Sequence, residues 1–170
     1  MVLLPGIRYF SQAPLLWFAR EAAQAEGWSV LELSERAPAD VDPFAWMTER
    51  TERALAATSA AQVALIGKSL ASVAAPLATL RALPAVWLTP LLDRAEVTAA
   101  LTGATRPTLI VGSPADPSWS GGSVPESEAL EVLEFDGLDH SLQVAGDPVA
   151  SLDVLRAVTE RVREFLASLG

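Results

Sequence analysis

Residues 65–72 read LIGKSLAS. An apolar run through Val63, Ala64, Leu65 and Ile66 stops at Gly67, Ser69 follows two residues later, and helix-forming sequence begins at once. Two readings fit this pattern. In one, Gly67 makes a turn and Ser69 caps the next helix. In the other, Ser69 is a nucleophile on a sharp strand-to-helix turn. Such a turn exposes the hydroxyl, crowds the backbone so that neighbours must be small, and leaves N–H groups free near the oxygen. Gly67 and Ala71 supply the small neighbours, although the usual signature, Gly-x-Ser-x-Gly, has a second glycine where this chain has Ala71. The following helix would aim the positive end of its dipole at developing negative charge.

The flanking sequence repeats the same rhythm. Strands are expected at Val2–Leu4, Trp28–Leu33, Gln62–Ile66, Ala85–Leu88, Thr108–Val111 and Ala129–Phe135. Helices are expected at Pro14–Glu26, Pro43–Ser59, Ser69–Leu83, Asp93–Leu101, and from Asp147 or Ser151 to about Ser168. Gly27 ends the first helix, Asp42 and Pro43 open the second, and Pro76 should kink or split the third. Most strands are continuous apolar runs, as a parallel sheet covered on both faces requires. The fold class is therefore α/β: a three-layer sandwich around a mostly parallel sheet of about six strands, with residues 1–170 as one domain. Ligand chemistry in such sheets gathers beyond the carboxyl ends of the strands. Ser118–Glu126 is the most loop-like stretch.

Composition excludes several classes. Hydrophobic residues make up 51% of the 170 and charged residues 19%, a globular balance. The net charge of −9 argues against a nucleic-acid or anionic-membrane partner. There is no cysteine and one histidine, so disulfides, thiolate sites, a cysteine nucleophile and a multi-histidine metal site are excluded together. No cofactor or metal is called for. The N-terminal MVLLPGIRYFSQAP has no basic region before its apolar run, and no apolar run reaches membrane-spanning length. A cytoplasmic location is expected.

Two further residues stand just past strand ends. Asp116, in VGSPADPSW, offers a carboxylate that could orient a histidine; alone it is equally a turn residue. His140, in FDGLDHSL, is the one side chain suited to take a serine proton at neutral pH. Serine, acid and histidine occur in that order, each past a separate strand, and this combination selects a catalytic triad of Ser69, Asp116 and His140.

With these motifs the chain resembles a small α/β-hydrolase of the dienelactone-hydrolase-like type. The resemblance spans essentially the whole chain and rests on LLPG at 3–6, GKSLA at 67–71, GSPADPSW at 112–119 and GLDHSL at 137–142. It implies that Ser69 is the nucleophile, His140 the general base and Asp116 the acid. It also implies an oxyanion hole made by the backbone N–H groups of Ile7 and Leu70. Three departures accompany it. The first, peripheral strands of the full fold are missing, no large lid follows the fourth strand, and true dienelactone hydrolases use a cysteine nucleophile, so that particular activity does not carry over.

Asp93 is a rival acid after the fourth strand, but with Glu96 three residues on it reads as a helix N-cap. Asp139, adjacent to His140, should diverge from it. Arg8 could meet an anionic group of a substrate. Tyr9, Phe10, Leu91, Leu92, Trp119 and Leu142 are expected walls of an apolar acyl pocket. The other tryptophans read as core, and Lys68 as structural or solvent-facing. The expected function is hydrolysis of a small ester, thioester or related acyl compound through an acyl-enzyme. The alternative is a binding module on a hydrolase fold that has lost turnover.

Overall fold

A computed structural model describes residues 1–122 and 124–170. Six strands form one open sheet: β1 (Val2–Leu4), β2 (Leu31–Glu32), β3 (Leu65–Lys68), β4 (Ala85–Leu88), β5 (Thr108–Gly112) and β6 (Leu130–Glu134). Their order is β2-β1-β3-β4-β5-β6, and every pairing is parallel. Five α-helices cover it: α1 (Pro14–Ala25), α2 (Pro43–Ala57), α3 (Ala75–Leu80), α4 (Ala95–Thr102) and α5 (Pro148–Ala167).

The period-two alternation of a strand divides each apolar run between two cores. Leu3, Ile66, Val86 and Leu109 face α1 and α5, where Leu15, Leu16, Val162 and Phe165 pack. Val2, Leu4, Leu65, Trp87 and Ile110 face the opposite layer, with Met47 of α2 and Leu101 of α4. Burial on both faces is why these strands contain almost no polar residue. β2 and β6 are the exceptions: they lie at the two edges and read LE and LEVLE, with at most partial burial.

Asp42 and Asp147 cap α2 and α5, each accepting backbone N–H groups, and Pro43 and Pro148 follow in the first turn. The helix after Ser69 departs from expectation. Residues Ser69–Ala74 form a 3₁₀ segment, and α3 begins only at Ala75. Pro76 therefore sits in a first turn, where its missing N–H has no cost, instead of kinking a longer helix. Asp93 does not cap α4 either; Arg94 holds the N-cap position and Asp93 is exposed.

The expected strand at Trp28–Leu33 shrinks to Leu31–Glu32, because Trp28 and Val30 turn away to pack beside α1 and α5. β3 runs on through Gly67 and Lys68, so the sheet ends directly at Ser69. Within the loop-like stretch, Pro117–Gly122 is a 3₁₀ segment, and Ser123 lies outside the described residues. Among the remaining tryptophans only Trp87 is core; Trp17 is exposed, and Trp28 and Trp46 are half-buried. No helix among the described residues is long and apolar enough to cross a membrane.

Candidate active site

Because all strands are parallel, the residues that follow β3, β5 and β6 emerge at one edge of the sheet. Ser69, Asp116 and His140 come from these three exits. His140 Nε2 lies 2.7 Å from Ser69 Oγ, and Nδ1 lies 2.6 Å from Asp116 Oδ2. Asp116 is buried, Ser69 is 8% exposed, and the His140 side chain is 37% exposed. The partly exposed imidazole thus stands between a buried carboxylate and a nearly buried hydroxyl.

The local sequence explains each placement. Ser69 has φ of +53°, a left-handed conformation that costs a non-glycine residue about 1–3 kcal/mol. Close packing holds it there. A Cβ at Gly67 would lie 2.6 Å from the Trp87 ring and 2.8 Å from Ala71 Cβ, so a glycine is required there. Ser72 Oγ donates to the Ser69 carbonyl at 2.8 Å and accepts from Leu91 N–H at 3.0 Å, tying the turn to the end of β4. The following segment is a short 3₁₀ turn, so the expected dipole of a long helix is not aimed at Ser69.

The acid loop is fixed by its own backbone. Ser118 N–H donates to Asp116 Oδ1 at 2.9 Å, Asp116 N–H donates to the Ser113 carbonyl, and Trp119 N–H donates to the Asp116 carbonyl. Trp119 packs against Gly112, where any Cβ would overlap its ring, and its indole N–H donates to Glu134 Oε2 at 2.8 Å. Asp139 is turned away from the imidazole; its Oδ1 accepts from Ser141 and Gln143 N–H and closes the loop that presents His140.

Beside this centre a cleft of about 700 Å³ opens against Ile7 and Leu70. Its apolar wall includes Phe10, Leu33, Val41 and Trp46, and Arg8 and Arg36 border it. The Ile7 N–H donates to no backbone or side-chain acceptor among the described residues. Leu70 is the second residue of its 3₁₀ segment, ahead of the first N–H that such a turn can satisfy internally.

Most of the expected pocket walls lie elsewhere. Trp119, Leu92 and Leu142 are 0%, 4% and 2% exposed and belong to the two cores, because the sheet edge needs their bulk as packing. Leu91 is half-buried at the tether from Ser72. Tyr9 and Leu142 border a separate hollow of about 380 Å³ near Pro14 and Leu155, and the Tyr9 hydroxyl accepts from Leu15 N–H. Of the expected walls, Phe10 borders the cleft, as does Arg8, the expected contact for an anionic substrate group. The rest of the wall comes from the segment after β2, whose mixed polar and proline-rich sequence gave no signal.

Lys68 is the residue that sequence reasoning most underrated. It is 1% exposed, not solvent-facing. Its ammonium donates to Thr89 Oγ1 at 3.0 Å and to the His140 carbonyl at 2.9 Å, and lies 4.5 Å above the Tyr9 ring. Burial lowers its pKa from 10.5 to about 8, opposed by the carboxylates of Asp116 and Asp139. A lysine closing an otherwise apolar strand was the available signal.

The architecture also recurs in solved structures. No family model matches the chain, and no curated protein matches its sequence. Est1E from Butyrivibrio proteoclasticus, in a structure with ferulic acid bound, superposes with a TM-score of 0.72 at 15% identity, over 98% of this chain and 87% of that one. Alpha/beta hydrolase domain-containing protein 10 from mouse gives 0.73 at 10% identity, over 99% and 90%. An esterase from Pyrococcus furiosus gives 0.71 at 14% identity, over 97% and 80%. The chain has the α/β-hydrolase fold. It is a compact version: residues 89–94 alone link β4 to α4, so no lid is inserted at that point of the hydrolase sheet.

Proposed function

We propose that the protein is a serine hydrolase that cleaves a small ester, thioester or related acyl compound. The observation that carries this reading is the unbroken chain from Ser69 Oγ through His140 to Asp116, at 2.7 and 2.6 Å. Asp116, unable to escape to water, favours the tautomer with the proton on Nδ1, which leaves the Nε2 lone pair facing the serine hydroxyl.

Ser69 Oγ attacks the acyl carbon while its proton passes to Nε2. The carbonyl electrons move onto oxygen, where the N–H groups of Ile7 and Leu70 receive them. The intermediate collapses, the bond to the leaving group breaks, and the imidazolium gives that group its proton. Water then enters, loses a proton to His140 and releases the acid, restoring Ser69. The cleft beside Ile7 and Leu70 is of a size that suits a small ligand, and its apolar wall suits an acyl or aryl group. Arg8 and Arg36 stand at its rim in a strongly acidic protein and make no ion pair among the described residues, which favours substrates bearing a negative charge. That one protein of this fold is an esterase and another holds ferulic acid supports an acyl substrate.

Fluorophosphonate labelling tests the reading. The wild-type protein should be labelled covalently, and Ser69→Ala should not, with esterase turnover lower by several orders of magnitude. Equal turnover by the two proteins would overturn it.

A further inference from the structure

The triad leaves one buried ionisable group unused. Lys68 precedes the nucleophile, closes β3, and spends its ammonium on two oxygens from other parts of the chain. One belongs to the backbone of His140 itself, 72 residues away in sequence. The other is the hydroxyl of Thr89, past the end of β4, where the backbone is again left-handed with φ of +45°. A buried cation is costly unless it is fully used, and an apolar residue would fill the same strand position at no such cost.

We propose that Lys68 is a positioning residue: its ammonium locks the backbone of His140 to the strand that carries Ser69, and so sets the distance between imidazole and hydroxyl. The inference rests on the hydrolase reading for its purpose, though not for its geometry. The His140 loop is closed on itself through Asp139 and its neighbours, and beside His140 it is anchored by Leu138 N–H, which donates to Ser113 Oγ at 3.1 Å, and by the buried Leu138 and Leu142 side chains. At His140 itself, the ring is tied to Asp116 and Ser69, and the backbone carbonyl is tied by the Lys68 bond.

The charge matters as well as the reach. A charge-assisted hydrogen bond is about twice as strong as a neutral one, so loss of the Lys68 proton slackens both tethers. The groups that face Nζ decide when this happens. From the loop after β1 comes the Tyr9 phenol, whose pKa is raised by burial so that it stays neutral. From β4 comes the Thr89 hydroxyl, which does not titrate in this range. Asp116 follows β5, Asp139 and His140 follow β6, and both carboxylates favour the ammonium while burial opposes it. The balance puts deprotonation near pH 8.

His140 is the only histidine, so its Cε1–H resonance reports the site with or without turnover. In the wild-type protein that resonance should show a second inflection near pH 8 as Lys68 loses its proton. In Lys68→Met, which keeps length and removes charge, the second inflection should vanish. In parallel, the fluorophosphonate labelling rate of the wild type should fall through the same pH. The Lys68→Met rate should be lower by an order of magnitude or more and should lack that fall, since a 1 Å misplacement can cost about 10²-fold. Thr89→Val removes one tether and should give a smaller loss with the alkaline fall retained. It also serves if Lys68→Met does not fold.

Identical resonance titrations in the wild type and Lys68→Met would overturn the proposal. So would a wild-type resonance with no inflection between pH 7 and 10. If Ser69→Ala is labelled as fast as the wild type, the hydrolase reading fails on its own, and the resonance still decides the role of Lys68.

Discussion

The two sides of the site are built differently. On the side of the chemistry, Lys68, Ser69, Ser72, Thr89 and Asp116 are all buried, and each has a partner from another element. On the side of the cleft, residues 34–41 are exposed or half-buried and carry no regular structure. The triad is over-determined: several contacts must fail before Ser69 leaves its strained conformation. The cleft wall is held by few contacts, such as Arg36 over the Phe10 ring at 4.2 Å. On the proposed hydrolase reading, reaction type belongs to the packed half and substrate choice to the loose half, so substitutions should divide along the same line.

The strongest challenge to that division is aimed at the packed half. Asp116→Asn should leave the fold intact but misorient the imidazole, lowering kcat by about 10⁴ as in other triads. Asp93→Asn, exposed and not a cap, should lower it less than twofold. Steady-state kinetics on one p-nitrophenyl ester decides between them, and reversed effects would move the acid to the end of β4.

A change in the packing alone should cost stability first. Gly112→Ala places a methyl group where the Trp119 ring lies, and overpacking of this kind costs about 1–3 kcal/mol. Trp119 and Asp116 share a short turn, so activity should fall with stability. Urea denaturation measures the first effect and labelling rate the second; an unchanged denaturation midpoint would show that the acid loop is slacker than its contacts indicate.

The smallest effect should come from the loose half, and it should appear in KM. Arg8→Ala or Arg36→Ala should raise KM about three- to tenfold for an ester bearing a carboxylate, because an exposed ion pair is worth about 1 kcal/mol. For a neutral ester of similar size KM should not move, and kcat should hold for both. Equal effects on the two esters would remove the charge preference.

The same contrast explains how far the sequence could be read. The alternation of apolar runs with helical stretches is a direct product of double-sided burial, so the parallel sheet and its six strands were legible. So was the meeting of Ser69, Asp116 and His140 at one place, because a parallel sheet brings strand exits together. Edges of elements were less legible. Leu31–Glu32 is all that pairs of an expected six-residue strand, since Trp28 and Val30 satisfy their burial elsewhere. Pro76 marked a boundary, but whether it breaks a helix or begins one depends on the turn before it. The pocket walls failed for a related reason. Trp119 and Leu92 sit beside the site in sequence, yet local sequence does not say whether an apolar side chain points into a core or a cleft.

The two rims of the sheet have a consequence for how the protein behaves at high concentration. An open sheet leaves a row of unpaired backbone groups at each edge, which invites another chain to add a strand. Here one rim is β2, only two residues long and too short to seed such pairing. The other is β6, where two of five residues are glutamates on opposite faces, Glu131 held by Arg161 of α5 and Glu134 by the Trp119 indole. A second copy docking there would have to bring its own Glu131 and Glu134 close to these carboxylates. The rims therefore resist edge-to-edge aggregation without being covered, and neutralising Glu131 and Glu134 together would make β6 an adhesive surface.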